Sequence, residues 1–245
     1  MELYALIQSY TEKFIPVFVR TSVILFLIPY LGSRVVPLVA RAGLALALTL
    51  FSLPLVPAPR GDLLLVTAES LFVGAAMGLI VRILIGAVET AAHWIGLEVG
   101  LGIASVFNPQ FGEALSPLSL FYSLSGMALF FILNVHVFFV EAIVRSFSIS
   151  SLHFRNIFDG VVGFSTLLFP LALKIAVPVM LVQVLVNVSL GFFAKVMPQA
   201  NVFFVGFPLL IFVGIVFVIL SFPLVTSVVT GSFINVKDLI GGFMR

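Results

Sequence analysis

Apolar residues fill long, nearly unbroken runs, approximately 14–31, 35–56, 63–88, 118–141, 161–195 and 202–230, with charge and turn residues gathered in the gaps. A strand that crosses a bilayer alternates apolar and polar residues, and these runs do not alternate. A helix of ~20 residues crosses a hydrocarbon core of ~30 Å. The pattern therefore predicts an all-α membrane protein with about six long hydrophobic helices. The 202–230 run would be about 42 Å long at the rise of an α-helix, and Pro208 and Pro223 are expected to kink it. Two stretches break the pattern. Residues 99–117 combine glycines and prolines with Asn108 and Ser105, which argues against a long helix. Yet Val106, Phe107, Phe111 and Leu115 make this stretch too apolar for a solvated loop, and irregular backbone at membrane depth survives only where protein buries it or it lines a cavity. The second break, Met197-Pro198-Gln199-Ala200-Asn201, is a polar turn that makes 161–230 a helical hairpin.

Composition narrows the class. Of 245 residues, 62% are hydrophobic and 9% charged, with a mean hydropathy of +1.29. A soluble domain averages roughly 45–50% apolar and about 25% charged residues. An ordinary cytosolic enzyme, a disordered chain and a secreted disulfide scaffold are excluded. The chain is an integral membrane protein, or a subunit almost wholly buried among membrane subunits. Twelve Lys and Arg balance ten Asp and Glu, and no basic run exists, so nucleic acid is not an expected partner. The absence of cysteine removes disulfides, Cys-zinc sites and thiol catalysis. The start, Met1-Glu2-Leu3-Tyr4, is acidic where a cleaved signal peptide has a positive region, so the first apolar segment is expected to be retained.

Charges inside the runs change the picture further. Arg20, Arg41, Glu69, Arg82 and Lys174 lie within apolar stretches. A charge at the bilayer centre costs ~2.5–3.5 kcal/mol even on the mild insertion scale, so these side chains must face protein, water or one another. Gly74, Gly78, Arg82 and Gly86 follow at steps of four and share one helical stripe. The stripe is either a close subunit interface with one buried charge or packing between the chain's own helices. Glu98 is a possible mate for Arg82, as is a partner's carboxylate. Lys174 either faces a partner or wet pore, or snorkels to the interface. Glu89 with His93 and Glu141 with Arg145 are i,i+4 pairs, read as interfacial and intrahelical contacts. The three histidines have no metal-ligand spacing, and no nucleophile elbow or phosphate loop occurs. Neither an enzyme nor a cofactor is expected. Lysine and arginine fall on both sides of any alternating topology, which leaves orientation open.

Leu190-Gly191-Phe192-Phe193-Ala194-Lys195-Val196-Met197-Pro198-Gln199-Ala200-Asn201-Val202-Phe203 resembles the FliR family of flagellar export-gate proteins, together with its type III secretion counterpart, SctT. Lys195 stands where the family more often has Arg. Ala172 to Pro178, Arg20 with Pro29, Gly32, Pro37 and Arg41, and Ala104 with Asn108, Pro109 and Pro117 also look like the family, and Asn134-Val135-His136 matches it in part. The resemblance covers nearly the whole chain. No lysine stands in Val205 to Leu210, which favours the flagellar branch over the virulence branch.

The resemblance implies a pore-forming subunit that assembles with FliP-like and FliQ-like proteins, alongside FlhB-like and FlhA-like export proteins, at the bacterial inner membrane in the flagellar basal body. It implies a FliP-like part over 1–160 and a FliQ-like hairpin over 161–245, with its turn at 196–201. It also places a pore plug at Gly102, Val106, Phe107, Asn108, Pro109, Phe111, Gly112, Glu113, Leu115 and Pro117. The apolar residues would close the channel by packing and dewetting, Gly100, Gly102 and Gly112 would let the backbone move, and Asn108 and Glu113 would tie it to pore-lining neighbours. Subunit contacts or buried charge are expected at Arg20, Arg41, Gly74, Gly78, Arg82, Glu98, Lys174, Lys195, Pro198, Gln199 and Asn201. Unfolded flagellar proteins would be the cargo, and membrane lipid the surroundings. A small-solute secondary transporter is the rival from another class, but it would show paired broken helices in corresponding halves, and only 99–117 is broken.

Overall fold

Long apolar runs without β-alternation satisfy their backbone groups internally, and helices follow. The structure, a computed structural model, describes residues 2–29, 36–57, 61–101, 117–148, 154–199 and 201–243. Among these, eight α-helices form: α1 (Glu2–Leu27), α2 (Leu38–Ser52), α3 (Leu63–Glu98), α4 (Pro117–Ile132), α5 (Val135–Ser146), α6 (Phe154–Ser165), α7 (Leu168–Val196) and α8 (Val202–Phe243). A 3-10 turn, Leu53–Leu55, follows α2, and no strand occurs among the described residues.

The helices depart from the hydropathy runs in ways with physical causes. Among the described residues, four helical stretches are long and apolar enough to cross a membrane, or five if α4 and α5 count as one bent span. The expected count of about six is reduced because α1 is not among them. Any stretch of α1 long enough to span includes three of Glu2, Glu12, Lys13 and Arg20. The 118–141 run is two helices, broken at Leu133 and Asn134 with a bend of 59°. The last helix does not end near residue 230 but continues for 42 residues through Pro208 and Pro223. Its final turns keep Phe233, Val236 and Ile240 buried at helical spacing.

The chain forms two compact units, interleaved in sequence. The first holds Met1–Leu84, Phe130–Thr166 and Ser232–Arg245. There α1 lies against α2, and Val17, Leu53 and Val56 form a buried cluster with Phe14, Val144 and Phe147 packed on it. Phe72 meets Phe154 edge-on, bringing α6 to α3. The second unit holds Ile85–Leu129 and Leu167–Gly231. Its core includes Val88, Ala92 and Ile95 of α3, Tyr122 of α4, and Ile175 and Val179 of α7, all at most 1% exposed. Trp94 stacks edge-on with Phe169, and Phe121 contacts Phe222.

Candidate functional site

Arg20 stands in the middle of an apolar helix, yet it is 1% exposed. Its guanidinium donates from Nη1 to Ser146 Oγ at 2.6 Å and from Nη2 to Ser70 Oγ at 3.1 Å. The guanidinium carbon lies 3.6 Å from the Phe147 ring centroid, a desolvated cation–π stack worth ~2 kcal/mol. The Glu69 carboxylate, one residue before Ser70, attracts the charge. One cation thereby joins α1, α3 and the end of α5 within the first unit. Its Nε has no partner among the described residues. Arg41 sits half-buried at the start of α2, where its Nε donates to the Val36 carbonyl at 2.9 Å and its guanidinium lies 5.5 Å from the Phe26 ring.

The glycine stripe divides along its length. A Cβ on Gly74 would lie 2.9 Å from the Arg20 carbonyl oxygen, and one on Gly78 would lie 2.7 Å from Leu27 Cβ. These two glycines therefore admit α1 against α3 within this chain. Gly86 has nothing within 4 Å, and Arg82 is exposed on the chain's surface.

In the second unit, α3 ends in a Schellman turn. The Leu101 amide donates to the Gly96 carbonyl at 3.0 Å and the Gly100 amide to the Leu97 carbonyl at 3.1 Å. Gly100 makes the turn at φ +86°, where a side chain is strained. A Cβ there would also meet the Phe207 ring, at 3.6 Å. The chain is thus turned sharply just before the Gly/Pro-rich stretch. The plug residues Gly102, Val106, Phe107, Asn108, Pro109, Phe111, Gly112, Glu113 and Leu115 lie outside the described residues. Pro117 opens α4 and is exposed.

The hairpin of α7 and α8 is joined around Gln183. Its Nε2 donates to the Leu210 carbonyl at 2.9 Å, and the side chain is fully buried. Gly214 opposite has no room for a Cβ against Gln183 and Val99. Towards the turn, a cavity of about 570 Å³ opens between the two helices, walled by Leu190, Gly191, Val202, Gly206, Phe207 and Leu210, with Asn187 and Asn201 supplying amides. Lys195, Pro198, Gln199 and Asn201 around that turn are exposed, as is Lys174 on α7. Glu98 is half-buried at the end of α3.

The predicted site residues that lie among the described residues therefore do not converge on one pocket. Arg20, Gly74 and Gly78 meet inside the first unit, whereas Arg82, Lys174 and the turn residues present themselves outward. Glu89 accepts a hydrogen bond from Ser123 at 3.1 Å, and Arg145 pairs with Glu141 at 2.6 Å. Among the described residues, no three His, Asp or Glu side chains gather where a metal ion would sit. Ser70, Ser146 and Gln183 carry no signal in the sequence, since a lone hydroxyl or amide fits no pattern, and Lys237 lies beyond the last apolar run. The last turns of α8 did carry a pattern, the spacing of Val229, Phe233, Val236 and Ile240.

Residues 11–236 match the family described as bacterial export proteins, family 1. The chain is 33% identical over 234 residues to the flagellar biosynthetic protein FliR of Bacillus subtilis (strain 168), covering 90% of each chain. It is 32% identical over 219 residues to the protein of the same name from Aquifex aeolicus (strain VF5), covering 85% of this chain and 84% of that one. The Escherichia coli (strain K12) FliR protein is 26% identical over 221 residues, covering 86% of this chain and 85% of its own length.

Proposed function

The chain belongs to the bacterial export proteins, family 1, and on that premise we propose that it is a structural, pore-forming subunit of the flagellar type III protein export gate in the bacterial inner membrane. The observation that carries this reading is the match to the family over residues 11–236, joined by FliR proteins aligned over nearly the full length of both chains. The subunit passes unfolded flagellar proteins and supplies conduit rather than energy. Its neighbours are FliP-like and FliQ-like subunits, with FlhB-like and FlhA-like proteins beside them. Residues 1–160 take the FliP-like role and 161–245 the FliQ-like role.

The exposed charges support a multi-subunit setting. Arg82 and Lys174 stand within apolar stretches of their helices and are exposed on the chain's own surface. Facing lipid, each would cost ~2.5–3.5 kcal/mol. Each therefore faces a neighbouring subunit or water. A plug carried by about Gly102 to Pro117 holds back ions at rest, because an apolar constriction dewets while glycines let it yield.

The test is purification of the tagged chain from its host in mild detergent, with native mass and identification of what copurifies. A discrete complex far heavier than 26.5 kDa that contains FliP-like and FliQ-like proteins is expected. In the same experiment Arg82→Ala leaves the chain's own level unchanged and lowers the recovered partners severalfold. A stable lone monomer or dimer would overturn the reading. Deleting residues 102–116 is expected to raise ion leak through the assembled complex in a conductance assay, and a complex that stays tight would remove the plug.

A further inference from the structure

The bend between α4 and α5 is completed by a residue from the far end of the chain. Asn134 makes the turn in the left-handed conformation, at φ 52° and ψ 34°, which asparagine adopts more readily than most residues. Around it the helical ladder is rerouted. The Asn134 amide donates to the Phe131 carbonyl three residues back, at 3.0 Å, and the ordinary four-residue ladder resumes with the Phe138 amide on the Asn134 carbonyl, at 3.2 Å. In an unbroken helix the Leu133 carbonyl would accept from the Val137 amide. Here it accepts from Lys237 Nζ of α8, at 2.7 Å.

Lys237 is delivered to that point by a fixed surface. Phe233, Val236 and Ile240 on the same helix are each fully buried, and the Phe233 ring meets Phe130 edge-on at 6.0 Å. The matching of needs is mutual. A carbonyl without a donor at membrane depth costs several kcal/mol, and an ammonium without an acceptor costs at least as much. A charge-assisted hydrogen bond satisfies both groups, and is about twice as strong as a neutral one.

We infer that Lys237 is a positioning residue that sets the α4–α5 bend, so that the C-terminal turns of α8 hold the broken span in its bent form. Without the ammonium, the Leu133 carbonyl regains a partner most directly from the Val137 amide, and that straightens the pair. The consequence travels along α5, whose last residue, Ser146, and the following Phe147 hold Arg20. The bend thus fixes where the end of α5 meets α1.

The chain has no cysteine, so a pair introduced as Val137→Cys and Ile234→Cys can be spin-labelled cleanly. Both positions are about half exposed, at 53% and 52%. The distance between the labels is read in the full-length chain, copurified with whatever assembles on it. With Lys237 a narrow distribution is expected. In Lys237→Met the mean shifts by about 5 Å, the order of one helical pitch, while Lys237→Arg keeps the original distance. Methionine retains the packing of the lysine stem and loses the donor. Loss of the Lys237→Met chain from the membrane, with Lys237→Arg present at normal level and distance, therefore also supports the assignment. Equal behaviour of the two variants, both normal or both lost, overturns it. None of these readouts depends on export activity, so their outcome is separate from that of the copurification.

Discussion

Replacing Arg20 by alanine is expected to leave little of the chain in the membrane fraction. The side chain is 1% exposed and joins three helical elements through Ser146, Ser70 and Phe147. Truncation leaves a cavity, which for a large buried side chain costs about 2–5 kcal/mol, and strands hydroxyl groups that the guanidinium had engaged, at about 1–3 kcal/mol for each that stays unsatisfied. Ser146 Oγ retains a bond to the Ile143 carbonyl at 2.8 Å, which lowers the second contribution and leaves the cavity as the larger one. A total of about 3–5 kcal/mol is a large part of the 5–15 kcal/mol that folded domains typically possess. Arg20→Met separates the causes. It fills most of the volume and carries no charge, and it is expected to cost about 1–3 kcal/mol, the loss of the hydrogen bonds alone. The measurement is the amount of tagged chain in membranes, followed by the aggregation temperature of the purified protein. The expected order is wild type, Met, Ala. A Met variant as stable as the wild chain would mean that the buried cation adds no net stability over an apolar group of its size, as happens for some buried charges.

The second large effect is at Gly78 and Gly74. Alanine at Gly78 would place its Cβ 2.7 Å from Leu27 Cβ, and at Gly74 2.9 Å from the Arg20 backbone oxygen. At Gly74 the obstacle is the Arg20 backbone itself, and at Gly78 it is the Leu27 Cβ, which the α1 backbone fixes and no rotamer change moves. Gly74→Ala must therefore push α1 away from α3 and is expected to cost about 1–3 kcal/mol, with Gly74→Leu abolishing accumulation. Gly78→Ala is expected to cost a similar amount, about 1–3 kcal/mol. Gly86 is the control on the same stripe, having nothing within 4 Å. Gly86→Ala should hold or slightly raise the stability of the chain alone, since glycine in a helix interior costs about 1 kcal/mol relative to alanine. Gly86→Leu should leave the level of the chain unchanged and, if a subunit packs there, reduce the partners recovered with it. Equal tolerance at Gly74 and Gly86 would refute the close approach of α1 to α3.

The mixed fate of that stripe shows what spacing can and cannot say. Steps of four place Gly74, Gly78, Arg82 and Gly86 on one face of α3, and the helix bears this out. Spacing is silent on what covers the face, and here α1 covers its first half. Hydropathy ended the last run near residue 230 because Ser232, Asn235, Lys237 and Asp238 dilute it. The helix goes on because one face stays apolar, and a single apolar face suffices when it is buried. The break at Leu133 and Asn134 was hidden for the opposite reason. The residues around it are apolar, and what permits the bend is a donor 104 positions away.

The sequence by itself determined that this is an all-α membrane chain, that it carries charges no lipid would accept, and that it belongs with export proteins. The first two follow from composition and from the long unbroken apolar runs, and the third from the resemblance that local motifs carry. The tertiary structure alone decided which charges are internal. Arg20 is enclosed and Arg82 exposed although each sits in an equally apolar run, because enclosure depends on what other segments bring. Ser146 lies 126 positions from Arg20, and an energetic match over that distance is made by packing rather than by any local pattern.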